Sequence, residues 1–232
     1  MKELAPGVWQ LDGRPRDLIN TYLLEDVLID SATRYDGERI LKELGGHGVS
    51  AHVLTHAHPD HLGSSHLVCE RLGVPFWVGA EDAAAAADPS VLADAQIPPR
   101  LKGGPLPSGM IARLFVSAQA GQGHPVAREL HEGDEIAGFA VLHVPGHTPG
   151  HLALWRASDR VLVAGDVFWN FRFVAGRPGL TQPAPFSCSD AAQNRASARR
   201  LAALEPALVC FGHGPPLRDP QRLKEFADRL PA

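Results

Sequence analysis

Four side chains that commonly bind metal ions lie within residues 55–61, namely His56, His58, Asp60 and His61. Imidazole nitrogen and carboxylate oxygen are ligands for zinc, iron and manganese. On an extended segment His56 and His58 point the same way and can bind one ion, whereas Asp60 and His61 fall where a helix should begin and can reach a second ion. A loop of solvated histidines is the competing interpretation, and four ligands at this density weigh against it.

Three more candidate ligands share one pattern, in which an apolar run ends and a histidine or aspartate beside glycine follows. They are His147, Asp166 and His213. Binding sites in open α/β sheets lie at the carboxyl ends of strands, and glycine lets the backbone approach an ion closely. The ligands then divide into two triads and a bridge. The first triad is His56, His58 and His147, and the second is Asp60, His61 and His213. Asp166 would lie between the two ions as the bridge. Each ion keeps a position for a shared water, as catalytic zinc sites do.

The elements that would position these residues form a β-rich start followed by alternating strands and helices. Short strands are expected near residues 7–11, 18–24, 27–29, 52–54, 74–78, 139–144, 152–155, 161–164 and 208–211. Helices are expected after Asp36, at about 60–72, from Glu81, and at 190–204 and 219–230. This rhythm predicts an α/β (α+β) fold in a single domain over residues 1–232, with helices outside two sheets.

One segment, residues 88–125, does not fit this rhythm. It holds six proline, five glycine and only five charged residues, and its apolar side chains include Met110. A loop of this length in a compact domain is usually a lid, a binding loop or disorder. Two interpretations stay open, which are a lid that covers the metal cleft and an arm that packs on a second subunit in a homodimer.

Composition and charge exclude several classes of partner. With 22 Lys and Arg against 26 Asp and Glu, the net charge is −4, which favours neither nucleic acid nor an anionic membrane. No apolar run approaches the roughly 18 residues of a membrane helix, and the first residues do not resemble a signal peptide. Three widely spaced cysteines fit a reducing compartment. We therefore expect a cytoplasmic protein that acts on a small molecule.

The order of the candidate ligands resembles that of the metallo-β-lactamase superfamily of metallohydrolases. An H-x-H-x-D-H motif at residues 56–61 is followed by His147, Asp166 and His213 in the family's order, so that the resemblance covers nearly the whole chain. It implies an αββα sandwich with a dinuclear site at one edge. It also implies two divalent ions, zinc in the first place, with iron or manganese as alternatives.

Within the superfamily the chain is most similar to the glyoxalase II branch, at residues 55–61 and 146–151. We expect no counterpart of that branch's helical C-terminal extension, because the 19 residues that follow His213 are enough for one helix only. Asp166 argues against the true β-lactamases, which lack a bridging aspartate. Acyl-homoserine lactonases have a tyrosine near the substrate, and both tyrosines of this chain come early. The acidic charge balance argues against RNase Z-like nucleases, and His58 argues against flavodiiron proteins, which usually have glutamate there.

The expected reaction is hydrolysis of a thioester, ester or lactone by a hydroxide held between two metal ions. Asp60 would hold its ion and take the proton as the tetrahedral intermediate collapses. Phe168 and Trp169 follow the bridging aspartate and, with Met110, are candidates to line an apolar substrate pocket. Packing in the core is the competing interpretation for the two aromatic residues.

Two other functions and two supporting residues stay open at this point. A mononuclear-iron persulfide dioxygenase would use His56, His147 and Asp166. A non-catalytic binding protein on the same scaffold is a third possibility, against which seven intact ligands weigh. His151 is interpreted as a turn histidine in preference to a support for the site. The resemblance suggests a supporting hydrogen bond from Asp30, and a turn or helix cap is an equal alternative.

Overall fold

The computed structural model describes residues 1–13, 17–91 and 121–231. Its first sheet follows the order of the sequence. In that sheet the strands are β1 (Lys2–Ala5), β2 (Val8–Gln10), β3 (Tyr22–Leu24), β4 (Val27–Ile29), β5 (Ala51–Val53), β6 (Phe76–Gly79) and β7 (Arg128–Leu130). Pairs from β1 to β4 are antiparallel, and pairs from β4 to β7 are parallel.

The remaining described strands form a second sheet and a two-stranded ribbon. In chain order they are β8 (Glu135–Ile136), β9 (Phe139–His143), β10 (Leu152–Arg156), β11 (Val161–Gly165), β12 (Trp169–Arg172), β13 (Arg177–Thr181) and β14 (Leu208–Phe211). The second sheet has the order β14-β11-β10-β9-β8, and β12 pairs with β13. Because β11 and β14 are parallel, their carboxyl ends lie at the same edge of the sheet.

The described helices are α1 (Gly37–Leu44), α2 (Pro59–Leu62), α3 (Ser65–Leu72), α4 (Ala83–Ala87), α5 (Ala191–Ala202) and α6 (Pro220–Asp228). Two of them begin at aspartate caps. Asp190 accepts hydrogen bonds from two backbone amides at the start of α5, and Asp219 accepts one at the start of α6. In the part of the chain that is described, no helix is long and apolar enough to cross a membrane.

The apolar core lies in three layers. A central cluster joins the facing sides of the two sheets, for example Ile29 and Val53 with Val141 and Val163. Apolar residues of α5 and α6 cover the outer face of the second sheet, and those of α1, α3 and α4 cover the first. The layers are thus helix, sheet, sheet and helix, and the predicted αββα sandwich is confirmed.

The helix predicted at residues 60–72 is in fact two helices, α2 and α3, separated by Gly63 and Ser64. Tertiary hydrogen bonds explain the break. The Gly63 amide donates to the Ala32 carbonyl, and the Ser64 hydroxyl donates to the Thr33 carbonyl. The sequence analysis also missed the ribbon of β12 and β13, whose first strand is the aromatic segment after Asp166.

The insertion predicted at residues 88–125 falls mainly on residues 92–120, and these, with Met110, lie outside the described part of the chain. Its described ends are residues 88–91, which follow α4, and 121–125, which precede β7. Whether the segment is a lid or a dimer arm therefore stays a prediction.

His52 in β5 gives the fold a pH dependence of its own. Its imidazole is fully buried, donates through Nδ1 to the Leu28 carbonyl at 3.1 Å and lies 2.9 Å from the Ser65 hydroxyl through Nε2. Burial lowers the pKa of His52 from 6.5 to about 4. Between these two pH values the unfolded chain binds a proton that the folded chain does not.

We therefore expect the contribution of His52 to stability to be full above pH 6.5 and to be lost as the pH falls toward 4, by up to about 3 kcal/mol. Urea unfolding of the parent and of His52→Gln across this range measures it. The loss of stability at acid pH should be smaller in the variant by that amount. Parallel pH profiles for the two proteins would contradict the assignment.

Candidate metal centre

The seven candidate ligands meet at one edge of the sandwich, where strands of both sheets end. His56 and His58 follow β5, and Asp60 and His61 lie in α2. His147 lies in the loop between β9 and β10, while Asp166 follows β11 and His213 follows β14. Asn20 holds the sheets together here, because its side-chain amide donates to the carbonyls of Phe211 and Gly214.

His56, His58 and His147 form the first triad, and all three have one ligand atom within 4.8 Å of the others. Their ring centroids lie 4.4 to 4.8 Å apart. The Nε2 atoms of His56 and His147 are buried without a hydrogen-bond partner. This is a set of imidazole nitrogens facing one point, as a metal site requires.

Asp60, His61 and His213 form the second triad, again with ligand atoms within 4.8 Å of one another. Asp60 Oδ2 lies 3.4 Å from His213 Nε2. His61 Nε2 is buried without a partner. Asp60 is the accessible member, since its side chain is 29% exposed while those of the two histidines are at most 5% exposed.

Asp166 lies between the two triads. Its Oδ2 is 3.4 Å from His147 Nε2 and 3.1 Å from His213 Nε2, and its Oδ1 is 3.6 Å from His61 Nε2. Gly212 makes room for this carboxylate, because a Cβ there would lie 2.0 Å from Asp166 Oδ1. One carboxylate therefore approaches ligands of both triads.

Buried side-chain atoms that lack a hydrogen-bond partner show whether the site suits metal ions. Four such atoms face this centre, which are Nε2 of His56, His61 and His147 and Oδ1 of Asp166. Buried polar atoms are nearly always satisfied in folded proteins. Imidazole nitrogen and carboxylate oxygen around a common space form a donor set for divalent zinc, iron or manganese. The residues of this centre therefore fit divalent metal ions.

Electrostatics distinguish the two triads. Burial lowers the pKa of His56 well below its ordinary value and that of His58 to about 3, so both are neutral ligands at neutral pH. Burial also acts to lower the pKa of His61, but carboxylates, Asp166 first, outweigh it and raise the pKa to about 9. The same opposition raises the pKa of His213 well above its usual range. An ion that bound at the second triad would therefore have to displace protons from it.

Asp30 supports the second triad, as the resemblance suggested. Its carboxylate accepts a hydrogen bond from His61 Nδ1 at 2.8 Å, and also from the amide and the hydroxyl of Thr55. The backbone of Asp30 is left-handed, with φ of 59°. Because Asp30 occupies Nδ1, the other ring nitrogen of His61 is directed to the centre.

Three other contacts fix the orientation of the ligands. His213 Nδ1 donates to the Leu18 carbonyl at 2.5 Å. Trp169 Nε1 donates to Asp166 Oδ2 at 2.8 Å. The His151 side chain is fully buried, and its Nε2 accepts from the Asp166 amide at 3.0 Å. This contact places His151 beside the centre and favours a supporting role over that of a turn histidine.

Asp82 is a supporting residue that the sequence analysis missed. It is 2% exposed, and its carboxylate accepts from the amide of Ala57 at 2.9 Å, the hydroxyl of Thr148 at 2.6 Å and the amide of Gly150 at 2.8 Å. It therefore ties the loop of His56 and His58 to the loop of His147. Its sequence context, a short 3-10 turn after β6, gave no local signal of this role.

The centre opens on a cleft of about 580 Å³. Trp169 lines the cleft, as expected, whereas Phe168 is fully buried in the core against Phe226 and is not a lining residue. Phe173, which the sequence analysis did not select, lies on the cleft with its ring 5.4 Å from that of His213. Among the described lining residues there is no Lys or Arg, and most are apolar.

The chain belongs to the metallo-β-lactamase superfamily, because the family model with that description matches residues 14–213. It is 29% identical over 222 residues to the probable metallo-hydrolase YflN of Bacillus subtilis (strain 168). This alignment covers 88% of this chain and 77% of that protein. This places it in a superfamily whose members are mostly metal-dependent hydrolases.

Solved structures are also similar to this chain. The metallo-β-lactamase family protein TTHA1429 of Thermus thermophilus aligns with a TM-score of 0.67 and 30% identity, over 97% of this chain and 80% of that one. TTHA1623, solved in a di-iron-bound form, aligns with a TM-score of 0.59 and 27% identity, over 94% and 93% of the two chains.

Proposed function

We propose that this protein is a dinuclear metal-dependent hydrolase that cleaves a neutral thioester, ester or lactone carrying an apolar group. The observation that carries the proposal is the arrangement of two ligand triads around one shared carboxylate, open to a cleft. The first triad, the second triad and Asp166 would hold two divalent ions, with zinc as the first candidate. The di-iron form of a related structure makes iron the other candidate.

Two bound divalent ions supply a water with a lowered pKa and a Lewis acid for the substrate carbonyl. The protein's own residues orient the side chains that would bind these ions. Asp30 and Asp82 fix the ligand loops, and Trp169 holds the Asp166 carboxylate by a hydrogen bond. Asp60 is the more exposed carboxylate of the centre, which suits it to receive the proton from the attacking water and pass it to the leaving group.

The substrate class follows from the lining of the cleft. Leu18, Ile19, Trp169 and Phe173 offer apolar surface beside the centre. Apart from the proposed ions and the histidines that would hold them, the described lining has carboxylates and no Lys or Arg, so an anionic group away from the centre, such as a carboxylate of glutathione, would find no described counter-charge. The glyoxalase II-like motifs at residues 55–61 and 146–151 support acyl hydrolysis, and the cleft favours an apolar acyl group.

The mononuclear-iron dioxygenase alternative would use only His56, His147 and Asp166. It would leave the second triad, with its buried and unpaired His61 Nε2, without a purpose. Keeping such a costly polar arrangement without an ion is unfavourable. The hydrolase proposal accounts for both triads.

Metal analysis of protein purified without added metal, combined with a panel of thioesters, esters and lactones, tests the proposal. We expect at least two ions per chain and hydrolysis of neutral acyl substrates, lost on chelation and restored by zinc or iron. A single iron per chain with oxygen uptake on a persulfide would overturn the proposal in favour of the dioxygenase. Two ions without hydrolysis of any acyl substrate would overturn the substrate class.

Substrate selection should depend on Phe173, whose side chain is 46% exposed and lines the cleft. We expect Phe173→Ala to lower kcat/KM for long-chain acyl substrates about tenfold, because roughly 1–2 kcal/mol of apolar contact is lost. Acetyl substrates should change little. Tyr35→Ala is the matched control, since Tyr35 is 74% exposed and outside the described lining of the cleft. An equal loss on short and long substrates would argue against an acyl-binding role.

A further inference from the structure

A second group of potential metal ligands lies away from the cleft, on the helical face of the first sheet. His66 and Glu70 are one turn apart on α3, and His124 lies in the segment before β7. The three side chains have one ligand atom each within 4.8 Å of one another. None of them belongs to the centre described above or lines its cleft.

The distances suit a shared ion. His66 Nδ1 lies 3.2 Å from His124 Nδ1, and His124 Nδ1 lies 3.9 Å from Glu70 Oε1. Two nitrogens bound to one tetrahedral zinc lie about 3.3–3.4 Å apart, given Zn–N lengths of roughly 2.0–2.1 Å. The imidazole rings are tilted by 58° with centroids 5.3 Å apart, so they meet through their nitrogens and not through stacked faces.

The surroundings hold the three ligands in place. His66 and Glu70 share a helix face because they are four residues apart. The ring of His124 packs against Phe76, with centroids 6.0 Å apart, and its side chain is 13% exposed, whereas Glu70 is 63% exposed. The group is therefore half-buried, with two ordered imidazoles on the protein side and a carboxylate on the solvent side.

We propose that His66, Glu70 and His124 bind one divalent transition-metal ion of the zinc type, with water in the remaining position. Two nitrogens and one carboxylate oxygen form a set that prefers such ions to magnesium or calcium. The ion has a structural role, because it joins two segments that are distant in the sequence.

The segment that this ion would fasten is close to the catalytic edge. At Gly121 the chain passes so near to the Gly63 carbonyl that a Cβ would lie 2.1 Å from that oxygen. Gly63 directly follows α2, which carries Asp60 and His61. Binding at His124 would thus fix residues 121–124 against both α3 and the end of α2.

Zinc titration of the chelated full-length protein, with total bound metal measured after removal of free zinc, tests this proposal. The parent should bind one more ion per chain than His124→Ala or Glu70→Ala, while both variants keep the hydrolytic activity of the parent. Glu70 is exposed on its helix, so Glu70→Ala should fold normally even if His124→Ala does not. His131→Ala is the matched control, because His131 is an exposed histidine outside the group.

The alternative is a plain hydrogen bond between the two imidazoles, with one Nδ1 donating to the other. In that case the parent, His124→Ala and Glu70→Ala would bind the same number of ions, and the proposal would be wrong. Loss of an ion in His131→Ala as well would also overturn it, since binding would then be non-specific. Cobalt substitution adds a second readout, because an extra absorption band should be present in the parent and missing in Glu70→Ala.

Discussion

Replacement of Asp166 by Ala should lower the metal content of the protein and reduce the proposed hydrolysis by more than about 100-fold, since the loss of a residue that only supports a metal ligand already costs about 10- to 100-fold. Asp166 approaches ligands of both triads, at 3.4 Å from His147 Nε2, 3.1 Å from His213 Nε2 and 3.6 Å from His61 Nε2. No other carboxylate among the described residues approaches both triads in this way. Metal analysis beside steady-state kinetics measures the two effects.

The variant Asp166→Asn separates charge from shape. It keeps the volume and an oxygen for the Trp169 indole, but it removes the negative charge. In metal-free protein, the pKa of His213 should fall in both variants, because Asp166 is the main group that raises it; NMR titration of the imidazoles would follow this. Unchanged metal stoichiometry in Asp166→Ala would rule out the proposed bridge.

Replacement of Asp82 by Ala should destabilise the protein by about 3–5 kcal/mol, although Asp82 is not one of the candidate ligands. The substitution leaves the buried amides of Ala57 and Gly150 without an acceptor, and each unsatisfied group costs roughly 1–3 kcal/mol. It also frees the His147 loop from the loop of His56. We expect the metal affinity of the folded variant to fall about 10- to 100-fold.

Denaturant unfolding and competition with a chelator measure these two effects separately. Asp82→Asn keeps one acceptor oxygen and should show an intermediate loss of both stability and affinity. Asp26→Ala is the control, because Asp26 is exposed and should change stability by less than about 0.5 kcal/mol. If Asp82→Ala unfolds more easily but keeps full metal affinity, Asp82 supports the fold and not the centre.

The candidate ligands could be selected from the sequence because each follows an apolar strand. The runs before His56, Asp166 and His213 read as buried strands, and β5, β11 and β14 lie at those positions. Parallel neighbours end at one edge, so a sequence pattern is enough to place side chains together. The supporting residues had no such pattern. Asp82 contacts Thr148, 66 residues further along the chain, and only the tertiary fold brings them together.

Alternation along the aromatic segment after Asp166 could not tell which ring faces the cleft. Phe168 lies before β12 and packs in the core, whereas Trp169 begins that strand and reaches Asp166. The register is set by pairing with β13, which the sequence analysis did not identify. The contact of His151 with the Asp166 amide joins the start of β10 to the end of β11 and likewise has no local signature.

The positions of the candidate ligands in the sequence set the order in which the two triads can form. The first triad is complete once His147 has been synthesised, but the second waits for His213 and for the pairing of β14 with β11. Such a long-range parallel contact forms late in folding, because closing the intervening loop costs entropy before the stabilising contacts between the strands can form. A nascent chain should therefore take up the two ions proposed for this centre at different times, and arrival of the second of them should mark the moment at which the second sheet is complete.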